Sequence, residues 1–172
     1  MKGWGYLAVL FLAAGLMGAC VPFSKEILRQ VDPTLNFAEI QKDPQLYVGK
    51  VVLWGGMIVG IENQKDETLL RVMRTKLDYE KRPTNLDRSG GRFMVRYTGF
   101  LDPAIYQEGR EITVVGEVAG KEIFPLGGIM YAYPVILAKE IRLWAKRLEV
   151  PYDSPPWFWA PYPPYWWYRY PY

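Results

Sequence analysis

Histidine is absent from the 172-residue chain, and cysteine occurs once, as Cys20. Zinc sites, thiol catalysis and proton transfer by an imidazole need side chains that this sequence does not offer. The glycine pairs Gly90-Gly91 and Gly127-Gly128 lack the spacing of a phosphate-binding loop. We therefore expect neither a metal nor an organic cofactor.

The N-terminal residues have the order of a bacterial secretion signal. Lys2 precedes an apolar run over residues 7–17, too short to span a bilayer, and two small residues then stand directly before Cys20. This arrangement resembles the lipobox of bacterial lipoproteins, in which the thiol receives a diacylglycerol and becomes the mature N-terminus. We predict a signal peptide over residues 1–19 and lipidation of Cys20. The alternative is an ordinary cysteine at the start of a soluble domain, or a buried helix over the apolar run.

Removal of 19 residues from 172 leaves 153, a length that fits one domain. Lys2 is the only charge lost from a net charge of +3, so the mature chain stays close to neutral. Whole-chain charge thus gives no argument for nucleic acid, and we expect no nucleic-acid partner.

The first part of the mature chain predicts a tether followed by a short helix. Residues 20–36 contain two prolines and only a weak apolar stripe, which favours a tether from the anchor. Phe37, Ile40 and Gln41 then follow at helical spacing, and Asp43-Pro44 should end that helix because the residue before proline is disfavoured in the α region.

Residues 37–148 predict a mainly β domain of five to six coiled strands with one or two short helices. The first strand, from Val51, is rich in glycine and places Val51, Leu53 and Met57 on one face. The clearest strand has Ile112, Val114, Gly116 and Val118 on one face. A turn or two of helix is predicted within residues 100–109, and two last strands over 131–136 and 141–143. A kinked first strand that serves both halves of a closed sheet favours an OB-like barrel over a sandwich.

Several motifs in this order give the chain a family resemblance. They are Asp-Pro-Gln-Leu-Tyr-Val-Gly at 43–49, Leu-Trp-Gly-Gly at 53–56, Thr-Leu-Leu at 68–70, Gly-Phe-Leu-Asp-Pro-Ala-Ile-Tyr at 99–106 and Ile-Thr-Val-Val-Gly at 112–116. With these motifs, residues 40–145 resemble the Slp family, starvation-associated outer-membrane lipoproteins of Gram-negative bacteria. The resemblance implies an outer-membrane address and offers no catalytic residues to carry over.

The residue after Cys20 is relevant to sorting. In lipoproteins of this kind an aspartate at that position favours retention in the inner membrane, and here the position is Val21. We therefore expect a protein anchored by lipid to the outer membrane, on its periplasmic face.

The C-terminal segment, residues 149–172, has an unusual composition. From Pro151 to Tyr172 it holds seven prolines and eleven aromatic residues, with Asp153 and Arg169 as the only charges. Prolines prevent helix and interrupt sheet pairing, while Trp and Tyr suit lipid headgroups and the centres of protein interfaces. The tail either covers part of the barrel, stays disordered or contacts a membrane or partner, for which the candidate residues are Trp157, Trp159, Trp166, Trp167 and Tyr168.

A basic stretch between Arg71 and Arg96 is the second candidate site. It holds eight basic residues against three acidic ones, and Arg71, Arg92 and Arg96 fall in predicted strands. An OB barrel with an arginine-rich strand is able to bind anions, although a solvated charged face accounts for the same pattern. In the envelope the anionic partners are lipid headgroups, lipopolysaccharide phosphates and peptidoglycan carboxylates.

The carboxylates do not suggest an enzyme. Asp78, Glu80 and Asp87 lie among basic residues in a predicted loop, and Asp102 is accounted for as a helix cap. We therefore predict an envelope binding or structural module without catalytic activity, whose partners are the outer membrane and an envelope protein, lipopolysaccharide or peptidoglycan. The alternatives are an envelope hydrolase acting on glycan or peptide, and an OB module for an anionic ligand; two facing carboxylates in a cleft would indicate the hydrolase.

Overall fold

The computed structural model describes residues 23–147. Two short helices, α1 (Lys25–Arg29) and α2 (Phe37–Lys42), and a 3-10 helix (Pro44–Tyr47) precede the strands. The strands are β1 (Val51–Asn63), β2 (Glu67–Arg74), β3 (Lys76–Leu77), β4 (Pro83–Thr84), β5 (Arg92–Thr98), β6 (Glu111–Leu126) and β7 (Ile129–Leu143). Within residues 23–147, none of the helices is both long and apolar enough to cross a membrane.

Five strands close into a barrel in the order β1-β2-β5-β7-β6, with β6 pairing back to β1. The pair β5–β7 is parallel and the other barrel pairs are antiparallel. This is the Greek-key order of a five-stranded OB-like barrel, so the predicted fold class is confirmed. The strands β3 and β4 form a separate two-stranded sheet in the charged connection between β2 and β5.

Apolar side chains fill the barrel. Buried residues from all five strands form one cluster with Phe37 and Ile40 of α2. Trp54 belongs to this cluster, with its ring centroid 4.7 Å from that of Phe37 and 5.4 Å from that of Phe93, both edge-on. Edge-to-face contacts of this kind add to the free energy of burial. The barrel interior is therefore a packed core rather than a channel.

The structure shows which face of β1 points into the barrel, a choice that the sequence pattern left open. Val52, Trp54 and Ile58 enter the core, whereas Val51 and Leu53 lie in a second cluster on the outside of the barrel. Both faces of this strand are apolar because α1 covers the outer one, so alternation alone does not identify the core side.

The predicted tether over residues 20–36 is wrong from Phe23 onward. Phe23 is 1% exposed and packs with Val51 and Val115, and Ile27, Leu28 and Val31 lie partly buried against the same cluster. Ser24 begins α1 by accepting a hydrogen bond from the Ile27 N–H at 3.2 Å. The weak apolar stripe is thus the side of α1 and of the residues after it that faces the barrel.

Two further elements differ from the sequence prediction. Residues 100–109 form turns rather than a helix: the Asp102 carboxylate accepts the Ala104 N–H at 2.8 Å, but helical hydrogen bonding stops after Tyr106. The two predicted last strands are one strand, β7, which pairs with β6 along nearly its whole length. Residues 137–140, the predicted gap between those two strands, are part of β7.

Candidate functional site

The three arginines predicted as anion contacts share one outer face of the barrel. Arg71 in β2 alternates with core residues, and so do Arg92 and Arg96 in β5, so all three side chains point away from the core. The two strands are paired, with Arg71 opposite Met94. The corresponding face is where OB folds bind their ligands.

The hairpin formed by β6 and β7 covers much of this face. Beyond a register shift at Val118–Gly120, the two strands continue together to residues 126 and 129. Tyr133, Phe124 and Tyr131 of the hairpin pack with Leu69 of β2 and Met94 of β5 in a separate cluster. Met94 is 1% exposed, although it points outward from the barrel. The hairpin therefore occupies the middle of the face on which other OB barrels place a ligand.

Arg96 is already neutralised. Its guanidinium lies beside Glu122 of the hairpin, and its Nε is 3.3 Å from a carboxylate oxygen of Glu67. Two carboxylates around one guanidinium leave no net positive charge for a phosphate. This arginine holds the hairpin on the sheet instead.

Arg71 and Arg92 remain half-buried on the same face, and within residues 23–147 neither forms an ion pair. The Arg71 guanidinium lies over Gly60, where a β-carbon would be 2.5 Å from Nη2. The backbone N–H of Arg92 donates to the Tyr131 hydroxyl at 3.1 Å. Of the three predicted contacts, these two keep an unneutralised charge.

A second charged cluster lies where the described chain ends. Glu111, 6% exposed at the start of β6, accepts hydrogen bonds from Arg82 Nε at 2.8 Å and from Arg147 Nε at 2.7 Å. Arg82 also donates to the carbonyl of Ala145 and Arg147 to that of Pro83. This Glu111 cluster ties the β3–β4 connection to the last residues before the aromatic tail.

Trp144 completes this attachment. Its indole Nε1 donates to the Thr113 hydroxyl at 3.0 Å, and its carbonyl accepts from Arg110 Nη2 at 2.8 Å. The guanidinium of Arg142 lies 4.6 Å from the centre of the indole rings and that of Arg82 5.6 Å, in cation–π geometry. Residues 144–147 are thereby fixed on the barrel, and with them the point from which the tail leaves.

Sequence reasoning did not find the Glu111 cluster. Its members come from the β3–β4 connection, the start of β6 and the end of the described chain. Because these segments are far apart in the sequence, no local pattern links them. The one available indication was Glu111 itself, a carboxylate directly before the apolar run Ile112–Gly116.

The Glu111 cluster also sets the charge of its carboxylate. Burial by itself raises the pKa of Glu111, but the hydrogen bonds from Arg147 and Arg82 outweigh it and hold the pKa below the ordinary value of 4.5. A carboxyl group whose pKa is depressed on folding stabilises the fold above its unfolded pKa and loses that contribution as the pH falls through its folded pKa.

We expect Glu111→Gln to lower the free energy of unfolding by about 2 kcal/mol near neutral pH, because it leaves two arginines without their counter-charge. The difference from wild type should shrink as the pH falls below about 4.5, where the wild-type carboxylate also becomes protonated. Urea unfolding at several pH values measures both effects. Glu117→Gln is the control, since Glu117 pairs with Lys139 at an exposed position and should change stability by less than about 1 kcal/mol. A pH-independent difference for Glu111→Gln would contradict the assignment.

Two surface cavities lie near these elements. One of about 440 Å³ is bounded by α1, the segment after it and β1, with Leu28, Pro33, Leu53 and Trp54 in its wall. The other, of about 390 Å³, lies beside the Glu111 cluster and is lined by Arg110, Trp144 and Lys146 among others. The second cavity also contains two carboxylates, Glu108 and Glu111, but Glu111 is neutralised by Arg82 and Arg147, which does not suit the acid or nucleophile of a glycosidase.

The predicted lipidation site and tail contacts fall outside the described residues. Cys20 precedes Phe23, and the aromatic residues Trp157, Trp159, Trp166, Trp167 and Tyr168 follow Arg147. The structure does, however, show where the chain enters and leaves the barrel, at Phe23 and at Arg147.

A filled five-stranded barrel with its charged clusters on the outer surface belongs to the class of small OB-like β-barrel proteins. Comparison with protein families identifies the particular group: the model of the outer membrane lipoprotein Slp family matches residues 17–172. The chain belongs to this family, as its motifs indicated.

Relatives from two bacteria agree with this assignment. The uncharacterized lipoprotein YeaY of Escherichia coli K12 is 32% identical over 131 residues, covering 74% of this chain and 67% of that protein. The outer membrane protein Slp of the same strain is 27% identical over 142 residues, covering 81% and 75%. An uncharacterized protein of Haemophilus influenzae is 31% identical over 156 residues, covering 90% and 83%.

Proposed function

We propose that this chain is a non-catalytic binding module, anchored to the periplasmic face of the outer membrane by lipid on Cys20, which contacts an envelope partner through residues 149–172. The observation that carries the proposal is the attachment of residues 144–147 to the barrel by the Glu111 cluster and Trp144. A fixed starting point lowers the conformational entropy that an extended segment loses on binding. The many prolines of the tail also lower the conformational entropy that is lost on binding, because they restrict the free chain to extended conformations.

The interior of the barrel supports binding rather than catalysis. Its core is filled by apolar side chains, so a ligand has to bind on the outer surface. Among the described residues Glu111 is the one buried carboxylate, and two arginines neutralise it. General acid or base catalysis needs a carboxyl group that exchanges a proton near neutral pH. The ion pairs with two arginines disfavour protonation of Glu111 and therefore such a role.

An anionic ligand on the outer face of β2 and β5 is the second candidate. Arg71 and Arg92 support it, because their charge is not neutralised by a described carboxylate. The ligand would be a phosphate or carboxylate of lipopolysaccharide or peptidoglycan. The hairpin over Met94 and the pairing of Arg96 restrict it to the edges of that face.

Deletion of residues 151–172 tests the proposal. The melting temperature should change by no more than about 2 °C, since the attachment through residues 144–147 is kept and loss of a residue outside the core costs little. In intact cells, a photo-reactive residue in place of Trp159 or Trp166 should capture a discrete envelope component, identified by mass spectrometry. The same photo-reactive residue at Tyr79, which is 88% exposed in the β3–β4 connection, is the matched control.

Binding also has a spectroscopic measure. Tail tryptophans that leave water on contact with vesicles or a partner should shift their fluorescence to shorter wavelength, and the deletion variant should lose that shift. A drop of 10 °C or more in melting temperature on deletion, without any capture or fluorescence change in wild type, would show that the tail is a structural strap.

A further inference from the structure

Five of the most exposed large apolar side chains lie near one side of the barrel, around the β6–β7 hairpin. We call them the apolar rim; their exposed fractions are 77% for Leu46, 53% for Val48, 58% for Ile123, 62% for Ile129 and 68% for Met130. Isolated exposed apolar residues need no explanation, but a group of them around one element marks a binding surface.

Backbone contacts place the first part of the rim beside the hairpin. The Gly49 N–H, next to Val48, donates to the Val118 carbonyl at 2.9 Å, and the Gln45 side chain, next to Leu46, lies against Gly120. Leu46 and Val48 therefore flank β6 where the hairpin begins, and Ile123 follows three residues beyond Gly120.

The tip of the hairpin extends the rim. Ile129 pairs with Leu126 and Met130 with Pro125, around the two-residue turn Gly127-Gly128. No charged residue occurs from Ile123 to Ala138, in a chain of which 23% is charged. A projecting, uncharged tip resembles a segment that enters an apolar medium more than it resembles a solvated loop.

The point where the chain enters the barrel brings a membrane close to this rim. Phe23 is buried against Val51. Val51 comes three residues after Val48 in the chain and pairs with Glu117 of β6, so Phe23 lies near the Leu46–Val48 part of the rim. Cys20 stands three residues before Phe23, and three extended residues span at most about 11 Å. If lipid is attached at Cys20, as the proposed function holds, the barrel is seated on the bilayer rather than suspended from it.

We propose that the apolar rim is a lipid-binding surface, and that the hairpin tip inserts into the interface of the phospholipid bilayer that holds the anchor. The proposal rests on lipidation of Cys20, which supplies the nearby membrane. A membrane fits the rim better than a protein partner because the hairpin end from Ile123 onward is a projecting edge without charge, and an interface of headgroups and acyl chains accepts such an edge without a matching pocket. Exposed Lys121, at the base of the hairpin, suits an anionic headgroup at the end of the rim away from the tip.

The test uses the full-length lipidated protein in vesicles of phosphatidylethanolamine and phosphatidylglycerol. Met130→Cys supplies a thiol for an environment-sensitive fluorophore, since lipid occupies the thiol of Cys20. We expect lipids carrying a shallow nitroxide quencher to reduce the fluorescence at position 130 at least twofold. Phe100→Cys is the matched control: Phe100 is equally apolar and 71% exposed, lies beyond the far end of β5 and should show little quenching.

Two further measurements separate this inference from the proposed function. Radiolabelled palmitate should enter wild type and be absent from Cys20→Ser, and the labelled protein should float with the vesicles. If the protein floats with the vesicles but quenching is equal at positions 130 and 100, or absent at both, the apolar rim does not bind lipid, although the anchor at Cys20 does. Failure of both labelling and flotation would overturn the anchor and the rim together. Quenching at position 130 should persist after deletion of residues 151–172, because the rim does not depend on the tail.

Discussion

Val114→Asp should lower the free energy of unfolding by about 4 kcal/mol or more, a large part of the ~5–15 kcal/mol that stabilises a typical domain. Val114 is 1% exposed and pairs with Trp54 on β1 and Ile141 on β7, in the centre of the filled barrel. A carboxylate there loses its hydration without gaining a partner, and protonation to avoid the charge has its own free-energy cost. Chemical denaturation followed by circular dichroism measures the change.

The matched control for this substitution is Ala119→Asp. Ala119 lies five residues further along the same strand but is exposed, so the same new carboxylate remains hydrated there. The expected change is below about 1 kcal/mol. If the two variants unfolded at similar denaturant concentrations, the placement of Val114 in the core would be wrong.

Gly56→Ala should have the second largest effect, a loss of about 3 kcal/mol or more. A β-carbon at Gly56 would stand 1.9 Å from the carbonyl oxygen of Met73, a backbone atom that no side-chain rotation removes. The residue also pairs with Arg74 on β2 and Ile112 on β6, so its own backbone is held from both sides. Relief of the clash requires β1 to separate from β2, which opens the barrel.

Gly128→Ala is the control for the cost of adding a methyl group to a glycine. Gly128 lies at the hairpin turn with no atom near the position of a β-carbon, and we expect a change within about 1 kcal/mol of zero. Thermal unfolding of the two variants gives the comparison. A stable Gly56→Ala protein would show that β1 is not tightly coiled at this glycine.

The β domain was predictable because its strands are amphipathic in the way that a barrel requires. Ile112, Val114 and Val118 alternate as core residues, and the glycines of β1 correctly indicated sharp coiling. The face of β1 was not predictable, because the second apolar face is covered by α1, and cover from a neighbouring element leaves no periodic signature. The turn at residues 100–109 fits a helix start, but nothing local determines how far helical hydrogen bonding continues.

The candidate site was only partly predictable. Sequence identified the arginines of β2 and β5 as strand residues, but their common outer face follows only from the pairing of the two strands. It did not show that Glu67 and Glu122 neutralise Arg96, nor that the hairpin covers Met94, because these contacts join strands distant in the chain. Cys20 and the aromatic residues of the tail remain predictions from sequence.

Local patterns in the sequence therefore determined the features that depend on neighbouring residues: alternating strands, a capped α2, a lipidation motif, an aromatic tail and the motifs that place the chain in the Slp family. Tertiary structure alone decided the closure of the barrel, the seating of Phe23 directly on it, the Glu111 cluster and the position of Leu46 and Val48 beside the hairpin. The physical reason is that periodicity and capping reflect contacts within a few residues, whereas burial and ion pairing depend on which distant segments pack together.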